Sequence, residues 1–285
     1  MPDSPSALKS ILLASRPKTW VASICPVLIG MSLSLRQGPL DELLLLCSVF
    51  FSLFIQIGTN FANDYFDYIN GADHKERKGP ARAVASGWID PSEMRLLFFA
   101  LFAAAFLISI PLVAKCGAWS LLFVFSSIAF GILYTGGPKP LGYLGFGELL
   151  VLAYFGPVAV LGTYYVQGHS VNLQSIFLSL SPGLLSTAIL VANNLRDQQS
   201  DRIAGKNTLV VRFGRLFGSI EYTSLILFAF LIPVFYQIYL PLLALPLSIP
   251  PIRRAFSFQT PQEAIPLLPQ TALLLLIYTV LFLCR

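Results

Sequence analysis

The chain has 285 residues, 55% of them hydrophobic and only 12% charged, with a formal net charge of +5 and a mean hydropathy of +0.72. Soluble domains carry about 25% charged residues, so this composition excludes an ordinary soluble domain and points to a polytopic membrane protein. No long polar stretch interrupts it, so one membrane domain over residues 1–285 is expected, with no nucleic-acid partner.

In chain order, residues 1–15 hold only the short apolar stretch ILLA before Arg16, Pro17 and Lys18. No small-residue cleavage site follows a full apolar region, so the first spanning helix is expected to be retained. A spanning helix needs about 20 apolar residues. Nine spans are expected, at 19–35, 42–63, 95–114, 117–134, 146–166, 173–195, 217–234, 236–252 and 266–283. The eighth carries Pro241, Pro246, Pro250 and Pro251, so it should be kinked or partly interfacial. Asn172 and Ser170 are expected to cap the sixth.

Alternating the nine spans leaves only Arg36, Lys115 and Arg285 on the side opposite the N-terminus; every other Lys and Arg falls on the N-terminal side. Positive residues favour the cytoplasm. The N-terminus is therefore expected to be cytoplasmic and the C-terminus outside, and a multi-pass inner-membrane location is expected. Cys25, Cys47, Cys116 and Cys284 are scattered and form no metal or disulfide pattern.

Two polar motifs break the apolar background. The first, NFANDYFDYINGADHKERKGPAR over residues 60–82, follows the second span. The second, NNLRDQQSDRIAGK over residues 193–206, follows the sixth. Asn and Asp recur four residues apart as Asn60/Asp64 and as Asn193/Asp197/Asp201. On a helix these positions share one face. An Asp at mid-bilayer costs on the order of 2.5–3.5 kcal/mol on insertion scales, so Asp64 and Asp197 should face a cavity or the interface.

Both motifs fall at cytoplasmic helix ends and both are crowded by Lys and Arg. Mg²⁺ takes oxygen ligands, usually one or two carboxylates with phosphate oxygens and water. Two opposed acidic faces therefore suit Mg²⁺ bridging a diphosphate, with basic neighbours neutralising the departing group. No Gly-x-x-x-x-Gly-Lys loop supports nucleotide hydrolysis.

The motifs NxxNDYFD and NNxRDxxxD resemble those of the UbiA superfamily of intramembrane aromatic prenyltransferases. The resemblance is carried by residues 16–30 (RPKTWVASICPVLIG), 60–87, 134–147 (YTGGPKPLGYLGFG) and 193–214. The RPKT opening, the GPAR segment and the AGKNTLVVRFG run are similar to the branch that prenylates 1,4-dihydroxy-2-naphthoate for menaquinone.

The resemblance implies an all-α fold of nine transmembrane helices around a central cavity that opens to the lipid bilayer, under a cytoplasmic cap. It implies a polyprenyl diphosphate donor, Mg²⁺ as cofactor and loss of CO₂ from the naphthoate. By analogy Asn60, Asp64 and Asp67 hold one Mg²⁺–diphosphate edge, and Asn193, Asp197 and Asp201 the other. Lys78, Arg82, Arg196 and Lys206 are the expected diphosphate contacts, with Arg16 and Lys18 as further contacts to the diphosphate or the naphthoate carboxylate. Position 68 is Tyr where the superfamily often has Asp, so whether Asp67 or Asp73 completes the first site stays open. Tyr65, Phe66, Tyr134, Tyr154 and Phe155 are candidate cation stabilisers. Two other readings are another acceptor, such as 4-hydroxybenzoate, and an ion-coupled transporter. Transport calls for polar residues at mid-bilayer, whereas here they gather on one face.

Overall fold

The computed structural model describes residues 5–72 and 81–284. Among them every regular element is helical. The α-helices are α1 (Ala7–Ala14), α2 (Trp20–Leu35), α3 (Glu42–Ile69), α4 (Pro91–Cys116), α5 (Leu121–Leu133), α6 (Gly147–Ala153), α7 (Ala159–Val166), α8 (Leu173–Ile203), α9 (Leu209–Val234), α10 (Ile249–Ser257), α11 (Pro261–Ala264) and α12 (Leu267–Leu283). A π-helical turn, Tyr154–Val158, joins α6 to α7 around Pro157, which lacks the N–H that a regular helix needs there.

The helix starts follow local chemistry. Asp41 accepts from the Leu44 N–H at 3.1 Å and starts α3. Pro91 occupies the first turn of α4 behind Asp90, whose carboxylate accepts from the Ser92 N–H and hydroxyl. Asn172 and Ser175 form a reciprocal capping box at α8, as expected for Asn172.

Among the described residues, seven helical stretches are long and apolar enough to cross a membrane, and Ala118–Leu133 is a shorter apolar one. Large side chains such as Leu107, Leu122 and Phe228 point outward, as lipid contact requires. The eighth expected span differs. Residues Leu240–Ser248 form a 3₁₀ helix that runs on into α10. Its prolines remove backbone donors and disfavour α-helical hydrogen bonding, so the tighter helix takes over. The expected seventh span, 217–234, lies in the part of α9 that follows a break at Gly214 (φ 88°).

Two cores hold the bundle. One packs Ile29, Tyr164, Leu185, Tyr222, Phe230 and Tyr278 between α2, α7, α8, α9 and α12. The other packs Phe61, Met94, Phe98 and Phe102 of α3 and α4 under the strap of residues 83–89. The α8 backbone lies directly on the π-turn: a Cβ on Gly183 would come within 2.8 Å of the Leu152 carbonyl oxygen and 2.9 Å of Gly156 Cα. Such close approach of backbones requires glycine. Gly183→Val is therefore expected to destabilise the protein by at least about 1–3 kcal/mol, the cost of overpacking. Thermal unfolding in detergent checks this; an unchanged midpoint would contradict the contact.

Candidate functional site at two helix ends

The helices that carry the motifs end in the same way. Gly71 and Gly205 both take positive φ, 69° and 71°. The Ala72 N–H returns to the Asp67 carbonyl at 2.8 Å, and the Lys206 N–H to the Asp201 carbonyl at 2.8 Å. This is the left-handed glycine stop of a helix. It sets Asp67 and Asp201 at equivalent places, four residues before each glycine. A helix C-terminus is the negative end of its dipole, so an acid there needs cations from elsewhere.

The first motif is held from three directions. Asn60 donates to the Ser15 carbonyl at 2.9 Å and the Thr19 hydroxyl at 3.1 Å, tying α3 to the break between α1 and α2. Asp64 accepts from the Ala83 and Val84 N–H groups at 3.0 and 3.1 Å, so it anchors the strap. Asp67 is 2% exposed and accepts from Arg82 at 2.7 Å on one oxygen. Its other oxygen accepts from Lys206 at 2.9 Å and from the Tyr143 hydroxyl at 2.7 Å. The Asp67–Lys206 pair joins the two motifs directly.

In the second motif the Arg196 guanidinium grips Asp197 through Nε at 2.7 Å and Nη2 at 2.5 Å, and reaches Asn193 at 2.6 Å. Arg196, Asn193, Asp201 and Lys206 line a cavity of about 890 Å³; Asp197 is not among its lining residues. Asn60, Asp64, Asp67, Arg82, Arg16 and Lys18 line the same cavity. Thus eight of the nine expected site residues that are described, all but Asp197, face one space. Lys78 and Asp73 lie outside the described residues.

From this polar end the cavity runs between apolar walls past Tyr134, Tyr154 and Phe155 to Trp119 and Val171. Tyr65 and Phe66 do not join them; both rings pack on Phe98, with centroids 5.7 and 5.9 Å away. Glu148 is buried and accepts from Asn194 at 2.9 Å. Residue-by-residue reading of the sequence missed Tyr143. Its segment carried family likeness, but no spacing linked it to either acid motif.

Among the described residues, no three His, Cys, Asp or Glu side chains come together as a metal cage. The donors that do face the cavity are carboxylate and amide oxygens at two negative helix ends. That chemistry suits Mg²⁺, which keeps water and phosphate oxygens and needs only one or two carboxylates. The residues therefore fit a cation that completes its shell with water or phosphate oxygens.

Residues 23–264 match the UbiA prenyltransferase family. The chain is 34% identical over 284 residues to 1,4-dihydroxy-2-naphthoate octaprenyltransferase of Haemophilus influenzae, covering 94% of this chain and 92% of that one. It is 37% identical over 217 residues to the protein of the same name from Escherichia coli K12, covering 74% and 70%. Its fold is similar to the structure of a UbiA homolog from Archaeoglobus fulgidus bound to GPP and Mg²⁺, with a TM-score of 0.64, 15% identity and coverage of 96% and 99%.

Proposed function

This chain belongs to the UbiA prenyltransferase family, and from that premise we propose that it moves a polyprenyl group from its diphosphate onto 1,4-dihydroxy-2-naphthoate, releasing diphosphate and CO₂ and giving demethylmenaquinol. One observation supports this most: both acid motifs open into a single cavity that is charged at one end and apolar along the rest. That shape matches a lipid with a diphosphate head.

Asp64, Asp67 and Asp201 would hold Mg²⁺ with the diphosphate, and Asn60 and Asn193 border them. When bound, Mg²⁺ would neutralise the diphosphate and ease its departure. Asp197 acts through Arg196, which it orients toward the cavity. Arg82 and Lys206, balanced by Asp67 here, supply positive charge to the leaving diphosphate. Lys78 is proposed as a further contact. The allylic C–O bond then ionises. The rings of Tyr134, Tyr154 and Phe155 line the path of the resulting cation, each able to contribute ~0.5–2 kcal/mol. The apolar walls exclude water. The ring carbon bearing the carboxylate attacks, and CO₂ departs with the C–C electron pair returned to the ring.

The 3₁₀ stretch adds a topological point. Nine residues at ~2.0 Å and nine at 1.5 Å give a length of roughly 31 Å for Leu240–Ser257, close to one bilayer core. We propose that it is a crossing, which makes nine. We propose one membrane domain in the inner membrane, with the cap that the family likeness implies; the charge asymmetry supports a cytoplasmic site and an external C-terminus.

Membranes containing the protein, given polyprenyl diphosphate, Mg²⁺ and 1,4-dihydroxy-2-naphthoate, are expected to yield a prenylated naphthoquinol lacking the carboxyl group, identified by mass. EDTA should abolish turnover and excess Mg²⁺ should restore it. Turnover with 4-hydroxybenzoate alone would discard the acceptor; turnover in EDTA would discard the metal.

A further inference from the structure

The loop of residues 134–146 brings to the site a side chain that belongs to neither acid motif. The Tyr143 hydroxyl donates to Asp67 at 2.7 Å. Its ring lies under the Lys206 ammonium, 4.7 Å from nitrogen to centroid. Its carbonyl accepts from the Asn207 N–H at 2.8 Å. One residue therefore touches the first-motif acid, the second-loop cation and the backbone beside that cation. The loop is firmly set. Gly142 N–H bonds the Tyr134 carbonyl at 2.9 Å, Arg212 donates to the Leu144 carbonyl at 2.6 Å, and a Cβ on Gly145 would come within 2.8 Å of the Asn207 oxygen.

We propose that Tyr143 is a positioning residue for the diphosphate end of the site, holding Asp67 and Lys206 in register across the two motifs; this rests on the prenyltransferase reading above. Among the described residues Asp67 has three side-chain donors, and two of them, Arg82 and Lys206, are cations for which an incoming diphosphate competes. The phenol is neutral and is not drawn by phosphate charge in the same way. As Arg82 and Lys206 come to be shared with the diphosphate, the Tyr143 hydroxyl keeps Asp67 aimed, and its ring keeps Lys206 facing the cavity.

Tyr143→Phe tests this, because it removes the hydroxyl and keeps both the ring and the backbone bond. Mg²⁺-dependent binding of farnesyl thiodiphosphate, a poorly reactive donor analogue, is expected to weaken about ten-fold, the scale of a lost hydrogen bond to a charged group. The half-saturating Mg²⁺ concentration and the donor KM should rise. The naphthoate KM and the thermal midpoint should stay. Tyr143→Leu should weaken analogue binding further, since Lys206 then also loses the ring. Analogue binding by Tyr143→Phe equal to wild type overturns the proposal. So does an equal rise in both KM values with a fallen thermal midpoint, which marks a merely structural role. Wild-type protein that binds the analogue but leaves naphthoate unreacted discards the acceptor alone, and the Tyr143 comparison is still read from binding. Wild-type protein that binds no analogue overturns both.

Discussion

Asp67→Asn is expected to lower turnover by at least about a hundred-fold, in the range seen when one preorganised electrostatic group is lost. The substitution keeps the shape and removes the charge. Asp67 is buried and balances Arg82 and Lys206, one cation from each side of the cavity. Without its charge, those cations lose their common partner, and on the proposed mechanism the Mg²⁺–diphosphate would lose a carboxylate. Turnover should fall even at saturating Mg²⁺ while helix content by circular dichroism is kept. Asp64→Asn should behave differently. Its carboxylate also holds the strap through the Ala83 and Val84 N–H groups. That variant is expected to lose activity and also hydrogen-exchange protection at these two amides. Wild-type turnover in Asp67→Asn would remove Asp67 from the mechanism.

Arg196→Met is expected to destabilise the protein by about 3–5 kcal/mol, the usual result of stranding one partner of a buried ion pair. Arg196 and Asp197 are each 5% exposed. The guanidinium satisfies both Asp197 oxygens and the Asn193 oxygen. Removing it leaves a carboxylate among packed helices. Adding Asp197→Asn should recover part of the loss, because the charge that needed compensation is gone. The comparison is a double-mutant cycle read by unfolding in detergent. Additive effects in that cycle would mean that the pair does not act as a unit. Turnover should not return in the double variant, since Arg196 also faces the cavity.

The eighth span shows where sequence reading stops. Apolar length marked residues 236–252, and the prolines warned of distortion. The local hydrogen-bond pattern sets the helical pitch, and it put 3₁₀ geometry at Leu240–Ser248. The open choice between Asp67 and Asp73 has a similar cause. Both acids were visible in the sequence. The left-handed turns at Gly71 and Gly205 set Asp67 and Asp201 at equivalent helix-end positions, while Asp73 lies outside the described residues. Asp197 was legible as a motif acid, but its grip on Arg196 was not, since adjacent residues on a helix do not ordinarily face each other.

The sequence alone determined the membrane class, most of the span positions and the pairing of two acid motifs on one side. These are local properties: apolar length, helical spacing and charge placement each act within about 20 residues. Tertiary structure decided which charges meet. Lys206 reaches Asp67 from far along the chain, Tyr143 joins them from a third segment, and the apolar cavity opens beside all three. Such contacts depend on how helices pack, and buried charges settle on whichever partners that packing brings within hydrogen-bond reach.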